Sequence, residues 1–372
     1  MKIVLSGGGT LGPVVPLLAV REAYLKDHPD AEFIWVGTKS GPEKEIVEKA
    51  GMHFFTIGAG KWRRYFSIWN YLDFLKIIIA FFQSIVFLWQ EKPDLLISCG
   101  GYVSVPLHWA GALLNVTSWV HQQDAEVGLA NKLMIPFAEK ITCALEKTAQ
   151  LLPAKKTEWI GNPSRDLSVR SLVPLPEGDR RGEGVQARKH FNIPENAPVI
   201  FALGGGTGSA SLNKLIIDAL PHWPKDWHII HLVGKERPKE KAQGATNIFP
   251  NYHIYEFFTD EMKDAYAIAD VVIARAGFGT LTELAALSKA AVILPMFGTH
   301  QEENAKIFAD GDAIVMLERG TENGLKLSQI VKDLMNAPEE RKRLGHKLHE
   351  ILPIAKPEKI VRIINSLARE QA

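Results

Sequence analysis

Cysteine is nearly absent from this sequence, which contains only Cys99 and Cys143 in 372 residues. The two lie far apart and no ligand spacing surrounds them, so neither a disulfide framework nor a metal site is predicted. The formal net charge is only +1, which argues against a basic surface that binds polyanions and therefore against a nucleic-acid partner. A P-loop lysine motif is also lacking, which argues against nucleotide hydrolysis by that route, and no cofactor is predicted.

A signal peptide and a membrane-spanning run are missing as well. The N-terminus, MKIVLSGGG, passes from a short apolar stretch directly into glycines, which is not the pattern of a signal peptide. The most hydrophobic segment, Trp62–Trp89, is interrupted by Lys76, Gln83 and Ser84, whereas a spanning helix needs about 20 predominantly apolar residues. We therefore expect a cytoplasmic protein without a transmembrane helix.

The aromatic content of Trp62–Trp89 nonetheless needs an explanation. Basic residues flank or interrupt this segment at Lys61, Arg63, Arg64 and Lys76. An apolar helix face rimmed by cations suits a lipid headgroup layer, whereas a helix buried between a sheet and its neighbours explains the hydrophobicity equally well. The two interpretations are compatible if part of the segment packs inside while the Trp62–Trp69 end contacts membrane.

Two strand–turn–helix series divide the chain. The first begins with the strand Lys2–Leu5 and the glycine turn Ser6–Gly12, and the second with the strand Val199–Leu203 and the glycine turn Gly204–Gly208. Such series build parallel sheets covered by helices, and a chain of this length predicts two domains. We therefore predict an α/β protein of two doubly wound, Rossmann-like domains that face a central cleft.

The stretch Gly161–Arg165 is the predicted hinge between these domains, and Arg165 could reach a phosphate from it. The predicted N-terminal domain spans residues 1–162, and a C-terminal helix within residues 356–372 joins it. This domain would bind an acceptor substrate and the membrane. The predicted C-terminal domain spans residues 163–355 and would bind a nucleotide sugar. Arg170–Gln186, rich in proline, glycine and charge, is predicted to be a surface loop.

The segment Val271–Leu287 changes from a β-branched run through a glycine turn to an alanine-rich helix. Unpaired amides at such a helix start suit a phosphate, and Thr280 and Thr282 could cap others. Glu283 is predicted in the first turn of this helix. It could accept the two hydroxyls of a ribose or merely complement the helix dipole, and the segment alone favours the dipole role.

Polar side chains also follow the predicted strand Thr117–His121. His121, Gln123 and Asp124 leave its carboxyl end, where open α/β sheets bind ligands, although Asp124 could equally cap a helix. The first glycine turn is not followed by an acidic residue at the end of a second strand, which weakens a dinucleotide interpretation. A nucleotide sugar in the second half and an acceptor in the first half fit better.

The sequence resembles the MurG family, the lipid-linked N-acetylglucosaminyltransferases of peptidoglycan synthesis, which have the GT-B fold. The resemblance runs nearly end to end and is carried by seven blocks in order: GGGTLGPVVP near the start, GGYVSVP at Gly100–Pro106, HQQDAEVGLANK at His121–Lys132, GNPSR at Gly161–Arg165, GGGTGSASLN at Gly204–Asn213, RAGFGTLTE at Arg275–Glu283 and HQEENA at His300–Ala305.

This resemblance implies an inverting glycosyltransferase. It would move GlcNAc from UDP-GlcNAc to undecaprenyl-pyrophosphoryl-MurNAc-pentapeptide (lipid I) and form lipid II, with consequences for cell wall biogenesis, cell shape and cell division. The family docks on the cytoplasmic face of the cell membrane, which implies peripheral contact through Trp62–Trp89. Other cell-wall synthesis proteins are candidate partners.

The resemblance also implies the site, in which Glu283 would hold the ribose hydroxyls of UDP rather than complement a dipole. The implied donor-binding residues are Arg165, Gly205, Gly206, Thr207, Gly208, Ser209, Phe258, Thr259, Gly279, Thr280, Glu283, Gln301 and Asn304. The implied acceptor-binding residues are Gly8, Gly9, Thr10, Leu11, Gly12, Tyr102 and Ser104, with His121 and Asp124 near the reacting hydroxyl.

Several positions depart from the family pattern. Leu11 replaces a glycine, Pro13 replaces a histidine often proposed as a base, and Phe278 is bulkier than the usual residue, which bears on donor-sugar identity. The family block HEQN is HQQD here. We therefore predict that Asp124 is the catalytic base, with His121 as the second candidate.

Three alternatives stay open at this point. One is a related UDP-sugar transferase with another lipid acceptor. Another is a UDP-GlcNAc 2-epimerase, which shares the architecture but is not expected to need a segment such as Trp62–Trp89. The third is a catalytically inert lipid-binding scaffold, which Leu11 and Pro13 favour and which Arg165, Glu283 and Gln301 oppose.

Overall fold

The computed structural model describes residues 1–58, 60, 69–164, 180–206, 208–235, 237, 240–258 and 261–369. The chain divides into two compact units, Met1–Arg165 with Pro353–Ala372, and Asp166–Leu352. The predicted boundaries after residues 162 and 355 lie three residues from these divisions. Each unit is an α/β structure built on a parallel sheet.

The first unit contains seven parallel strands in the order β3-β2-β1-β4-β5-β6-β7. Its elements are β1 (Lys2–Ser6), α1 (Val14–Asp27), β2 (Glu32–Gly37), α2 (Glu43–Lys49), β3 (His53–Thr56), α3 (Trp69–Glu91), β4 (Leu95–Ser98), α4 (Ser104–Leu113), β5 (Ser118–Gln122), α5 (Leu129–Met134), β6 (Lys140–Cys143), α6 (Glu146–Ala149) and β7 (Thr157–Trp159). The C-terminal helix, Pro357–Arg369, also belongs to this unit and packs on α1.

The second unit contains six parallel strands in the order β10-β9-β8-β11-β12-β13. Its elements are α7 (Arg180–His190), β8 (Val199–Leu203), α8 (Ala210–Ala219), β9 (His228–Leu232), α9 (Glu240–Thr246), β10 (Tyr252–Tyr255), α10 (Glu261–Ile268), β11 (Val271–Ala274), α11 (Phe278–Ala286), β12 (Ala291–Ile293), α12 (His300–Asp310), β13 (Val315–Met316), α13 (Gly324–Met335) and α14 (Pro338–Ile351); the C-terminal helix of the first unit is α15.

Both sheets are buried on both faces, which explains why their strands read as continuous apolar runs. In β1, Ile3 and Leu5 face the core beneath α1 and α15, while Val4 faces the core beneath α3 and α4. Side chains alternate in this way because successive residues of a strand point to opposite faces. A strand of this kind therefore holds helices on both sides of its sheet.

The helix α3 lies in the aromatic segment and has two different faces. Ala80, Ser84, Phe87 and Leu88 are buried, at the spacing of one helix face, and the buried apolar members join the core with α4. The opposite face exposes a stripe of large apolar side chains: Leu75, Ile78, Ile79, Phe82, Val86 and Trp89. The segment thus packs inside on one face and exposes an apolar face on the other.

The predicted membrane contact at Trp62–Trp69 falls mainly on residues 61–68, which lie outside the described residues. The exposed stripe instead runs along α3 from Leu75 to Trp89. Within the described part of the chain, no helix combines the length and hydrophobicity that crossing a membrane requires.

The predicted surface loop Arg170–Gln186 is wrong in its second half, because α7 begins at Arg180. Residues 165–179 lie outside the described residues. The helix packs on α10, and Ala187 is buried at 1% exposure. Since so few apolar residues face the core, the sequence shows no helical period there, and tertiary packing decides the structure.

Candidate active site

Each sheet reverses its strand order at one place, and the glycine turns lie there. In the first unit, the reversal falls between β1 and β4, which are followed by the first glycine turn and by Gly100–Gly101. In the second unit, it falls between β8 and β11, which are followed by the second glycine turn and by Arg275–Gly277. Open α/β sheets bind ligands in the crevice at such switch points, so each unit offers one candidate site.

The second glycine turn is a tight connection from β8 to α8. Gly205 and Gly208 have positive φ angles of 82° and 73°, and the Gly208 N–H donates to the Gly205 carbonyl at 3.0 Å. A methyl group added to Gly208 would overlap the Val233 carbonyl oxygen, so only glycine fits. Ser209 caps α8, because its Oγ accepts from the Leu212 N–H at 3.3 Å. The remaining amides of the turn suit an anion.

A buried cation lies beside this helix start. Arg275, directly after β11, is 8% exposed, and its Nη1 donates to the Ser211 Oγ at 3.2 Å. Burial lowers its pKa. Among the described residues, no carboxylate pairs with Arg275 and its Nε has no hydrogen-bond partner. A buried guanidinium without a counter-ion favours the binding of an anion.

A pocket of about 310 Å³ opens next to this guanidinium within the second unit. Its lining includes Ser211 and Lys214 from α8, Phe297 after β12 and Glu322 before α13. Apolar and polar groups share the wall, which is typical of sites for small polar molecules such as sugars.

Glu283 does not lie where the sequence predicts it. It is the sixth residue of α11, not part of the first turn, and that helix has Gly277 at its N-cap without a side-chain cap. Thr282 donates to the Phe278 carbonyl at 2.8 Å instead of capping the helix start. A residue in the second turn complements the dipole weakly, because the effect decays within the first turn. The dipole interpretation is therefore wrong.

The Glu283 carboxylate is 7% exposed and accepts a hydrogen bond from the Tyr266 hydroxyl at 3.0 Å. Tyr266 is itself fully buried and packs edge-on against Phe201. The tyrosine therefore fixes the orientation of the carboxylate from the core side of the helix.

Other predicted donor residues lie around the same sheet edge. Gln301 is the second residue of α12, and its Oε1 accepts from the Met296 N–H at 3.2 Å. Asn304 is fully buried, and Phe258 packs against Phe191 and Tyr255. The side chain of Phe278 is buried as well, so its bulk points away from solvent. Arg165, Thr207 and Thr259 lie outside the described residues.

In the first unit, the first glycine turn is held by a buried carboxylate that the sequence did not single out. Glu43 opens α2, is fully buried, and accepts from the Thr38 N–H at 2.8 Å, from the Thr38 hydroxyl and from the Gly9 N–H at 3.3 Å. Tyr102 lies over Gly9, where an added Cβ would come within 2.6 Å of its ring. The turn is thus built between Glu43 and Tyr102.

Leu11 does not obstruct this turn. Its side chain packs against the core of the first unit, whereas Gly9, Thr10 and Gly12 are exposed. Ser104, a predicted acceptor contact, is completely buried. Its hydroxyl donates to the Gly100 carbonyl at 3.2 Å and accepts from the Ser6 hydroxyl at 3.0 Å, so it fixes the loop after β4 instead.

His121 is also committed to structure. It is 1% exposed, and its Nε2 lies 2.9 Å from the Asn162 Oδ1 and its Nδ1 2.8 Å from the Thr142 Oγ1. Since the amide oxygen can only accept, Nε2 carries the proton. Burial lowers the pKa of His121 to about 4, so the ring stays neutral. With both nitrogens engaged and the ring buried, His121 is less accessible to an acceptor hydroxyl than the half-buried Asp124, and it stays the second candidate base.

Asp124 lies half-buried in the loop that follows β5. Gln122 organises this loop, because its Nε2 donates to the Asp124 and Glu126 carbonyls at 2.8 and 2.9 Å. A glutamate at position 122 would place an anion against two carbonyl oxygens. The amide in this chain therefore fits the loop that carries the Asp124 carboxylate.

Gln123 is 5% exposed and its Nε2 donates to the Gly12 carbonyl at 3.4 Å, which links the loop after β5 to the first glycine turn. In the sequence, Gln123 stands out only as one of three polar residues at the carboxyl end of a predicted strand. Arg275 was part of a predicted phosphate-binding block but was not singled out as a donor-binding residue, and Glu43 was missed, since an acid at a helix start is a common surface feature.

The two parallel-sheet units with glycine turns at both switch points define a two-domain α/β protein of the GT-B class. Residues 3–143 match the glycosyltransferase family 28 N-terminal domain, and residues 199–356 match the glycosyltransferase family 28 C-terminal domain. The chain belongs to glycosyltransferase family 28.

Relatives and solved structures agree with this membership. A UDP-N-acetylglucosamine--N-acetylmuramyl-(pentapeptide) pyrophosphoryl-undecaprenol N-acetylglucosamine transferase from Clostridium perfringens is 31% identical over 95% of this chain and 98% of its own. A transferase of the same name from Staphylococcus carnosus is 34% identical over 94% and 92%. The crystal structure of Acinetobacter baumannii MurG superposes with a TM-score of 0.74 at 26% identity, covering 98% of this chain and 99% of that one.

A UDP-GlcNAc 2-epimerase from Neisseria meningitidis, solved with UDP-GlcNAc bound, also superposes, with a TM-score of 0.65 over the whole of both chains. Its sequence identity is only 14%, so this likeness concerns the fold alone.

Proposed function

We propose that the protein transfers GlcNAc from UDP-GlcNAc to the muramyl hydroxyl of lipid I, with inversion at the anomeric carbon, and so forms lipid II. The observation that carries the proposal is Glu283, a nearly buried carboxylate oriented by Tyr266 at the switch point of the second unit. A carboxylate there can accept hydrogen bonds from both hydroxyls of a ribose whose phosphates lie on neighbouring amides. The relatives, which match nearly the whole chain, are named for this transfer.

The donor would lie along the carboxyl edge of the second sheet. Its diphosphate would bind the amides of residues 205–209 and of Gly279–Thr280, with Arg275 supplying positive charge and Arg165 nearby. Gln301 and Asn304 would contact the donor sugar and ribose, and the main chain at Phe258–Thr259 would meet uracil. These backbone amides and the Arg275 guanidinium stabilise the negative charge that develops on UDP as it leaves, which requires no metal ion from the protein.

The acceptor would lie on the first glycine turn, where Gly9, Thr10 and Gly12 are exposed and Tyr102 covers one side. In the reaction, the acceptor hydroxyl attacks the anomeric carbon while the bond from that carbon to the diphosphate oxygen breaks. Asp124 accepts the hydroxyl proton, and UDP leaves with the bonding electron pair.

The lipid acceptor implies contact with the membrane surface. We assign this contact to the apolar stripe of α3 (Leu75, Ile78, Ile79, Phe82, Val86 and Trp89), which is a larger contiguous apolar surface than scattered exposed residues produce. The exposed Lys76 lies on the same helix and suits anionic headgroups. The protein would then work as a peripheral protein on the cytoplasmic face.

The test is transfer of labelled GlcNAc from UDP-GlcNAc onto a lipid I analogue. The proposal predicts one labelled product and one UDP for each GlcNAc transferred, with little product from UDP-GalNAc or UDP-glucose. Conversion of UDP-GlcNAc without an acceptor would instead indicate an epimerase. UDP binding without any turnover would indicate an inert scaffold, and efficient use of another sugar or acceptor would indicate a related transferase.

A further inference from the structure

A chain of buried hydrogen bonds lies directly beneath the second glycine turn. His231 on β9 is completely buried, with its Nδ1 2.6 Å from the Tyr252 hydroxyl and its Nε2 3.1 Å from the Asn213 Oδ1. Asn213 on α8 donates in turn from Nδ2 to the Val233 carbonyl at 2.9 Å. The chain thus runs from β10 through β9 and α8 to the backbone just after β9.

The direction of every bond in this chain is fixed. The Asn213 amide nitrogen must face the Val233 carbonyl, so its oxygen faces His231 and can only accept. The Nε2 of His231 therefore carries the proton and Nδ1 accepts from the Tyr252 hydroxyl. Burial lowers the pKa of His231 to about 3, which keeps this neutral tautomer throughout the physiological range.

The end of the chain contacts the turn itself. The Val233 carbonyl oxygen packs against Gly208 so closely that no side chain fits between them. Asn213 is tied to the same turn from the other side, because its own N–H donates to the Ser209 carbonyl at 2.8 Å. A displacement of Asn213 would therefore move both the Val233 carbonyl and the first turn of α8.

We propose that His231 is a positioning residue of the donor site, which sets the second glycine turn through Asn213 and Val233. This inference rests on the proposed function, because it assumes that the turn binds the diphosphate of a UDP-sugar. His231 itself does not touch the ligand. Its task is to keep the amides of residues 205–209 in one orientation before the ligand arrives, which avoids a reorganisation cost on binding.

The experiment compares two substitutions of His231 in the full-length protein. His231→Gln keeps a donor for Asn213 and an acceptor for Tyr252 on one side chain, whereas His231→Leu removes both. We expect His231→Leu to raise the dissociation constant of UDP and the KM for UDP-GlcNAc by about tenfold, the scale of a lost buried hydrogen bond. His231→Gln should restore both to within about threefold, and the KM for the lipid I analogue should not change in either variant.

Val331→Ala provides a control for simple destabilisation. Val331 is fully buried in the same core on α13 and is not part of the hydrogen-bonded chain of His231. It should lower the melting temperature of the second unit without changing UDP binding. The inference is overturned if His231→Leu binds UDP as tightly as the unsubstituted protein, or if Val331→Ala weakens UDP binding to the same extent.

Calorimetric UDP binding separates this inference from the proposed function. If the unsubstituted protein transfers GlcNAc and His231→Leu binds UDP normally, the positioning role alone fails. If the unsubstituted protein binds no UDP, the proposed donor site fails and the positioning role with it. If UDP binds and responds to His231 as expected but no GlcNAc is transferred, the positioning role holds and the transferase assignment fails.

Discussion

At the scale of single residues, Glu283 decides the proposed donor site. A nearly buried carboxylate is costly unless hydrogen bonds compensate it, and the Tyr266 hydroxyl supplies one of them. The two hydroxyls of a ribose would add two more. The burial of Glu283 and its orientation by Tyr266 support the proposed role as the ribose-binding acid.

Substitution Glu283→Gln keeps the size of this side chain and an oxygen that can accept from Tyr266, but it removes the charge. We expect the KM for UDP-GlcNAc to rise by about 10- to 100-fold, the scale of a charge-assisted hydrogen bond. Steady-state kinetics measures this effect, with the melting temperature as the control for folding. An unchanged KM would remove Glu283 from the donor site.

Asp124 is the proposed catalytic base. The substitution Asp124→Asn removes the proton acceptor and retains the shape of the loop that Gln122 holds. We expect kcat to fall by at least about 100-fold, the typical contribution of a general base. The KM for UDP-GlcNAc should change little, because the donor is assigned to the other unit. A kcat close to that of the unsubstituted protein would end this assignment.

At the scale of elements, the proposed membrane contact rests on α3. Phe82 lies in the middle of the exposed stripe at 60% exposure, so Phe82→Glu places a charge there without disturbing the core. We expect this variant to lose most of its binding to vesicles that contain anionic lipid, while its kcat on a water-soluble acceptor analogue stays the same.

Leu325→Glu is the matched control for this experiment. Leu325 is the second residue of α13 in the second unit and is 65% exposed, so the same charge change occurs on another surface. Vesicle binding should be unaffected by it. Equal loss of binding in both variants would show that added negative charge, and not the α3 stripe, determines the result.

The elements most visible in the sequence are the buried strands and their glycine turns. Strands such as β1 and β8 are continuous apolar runs bounded by glycine, so their pattern predicts buried strands that end in turns. The helix α7 could not be predicted, because its stability comes from packing on α10 and not from its own sequence. The helix α11 begins earlier in the chain than the sequence predicts, so Glu283 lies in its second turn and not in its first.

At the scale of the whole molecule, buried imidazoles make the fold sensitive to acid. Burial lowers the pKa of His108 and His231 to about 3 and of His121 to about 4. In the unfolded chain they take up protons below their ordinary value of about 6.5. The unfolded chain therefore binds more protons between about pH 6.5 and 4, and the free energy of unfolding falls as pH falls, by up to ~1.4 kcal/mol per pH unit for each imidazole.

His108 offers the simplest test, because neither ring nitrogen has a hydrogen-bond partner among the described residues. The substitution His108→Leu fills a similar volume without a titrating group. We expect the melting temperature to fall less between pH 7 and pH 5 than in the unsubstituted protein. An equal acid sensitivity in His108→Leu would contradict this account.

The two-unit α/β organisation was predictable from the repeated strand–turn–helix series, since each series can form only one type of parallel sheet. The roles of individual side chains in the two candidate sites were less predictable. Ser104 and His121 occupy positions that the resemblance connects with the acceptor, yet their polar atoms are hydrogen-bonded to buried partners. Hydrogen bonds between residues distant in sequence, such as His121 with Asn162, leave no local pattern.

The most direct test of the central claim is the crystal structure of the protein with UDP-GlcNAc. The account predicts that both ribose hydroxyls lie within hydrogen-bond distance of the Glu283 carboxylate, and that the diphosphate lies on the amides of residues 205–209 and Gly279–Thr280. A nucleotide bound elsewhere, or a Glu283 carboxylate without contact to it, would contradict the account.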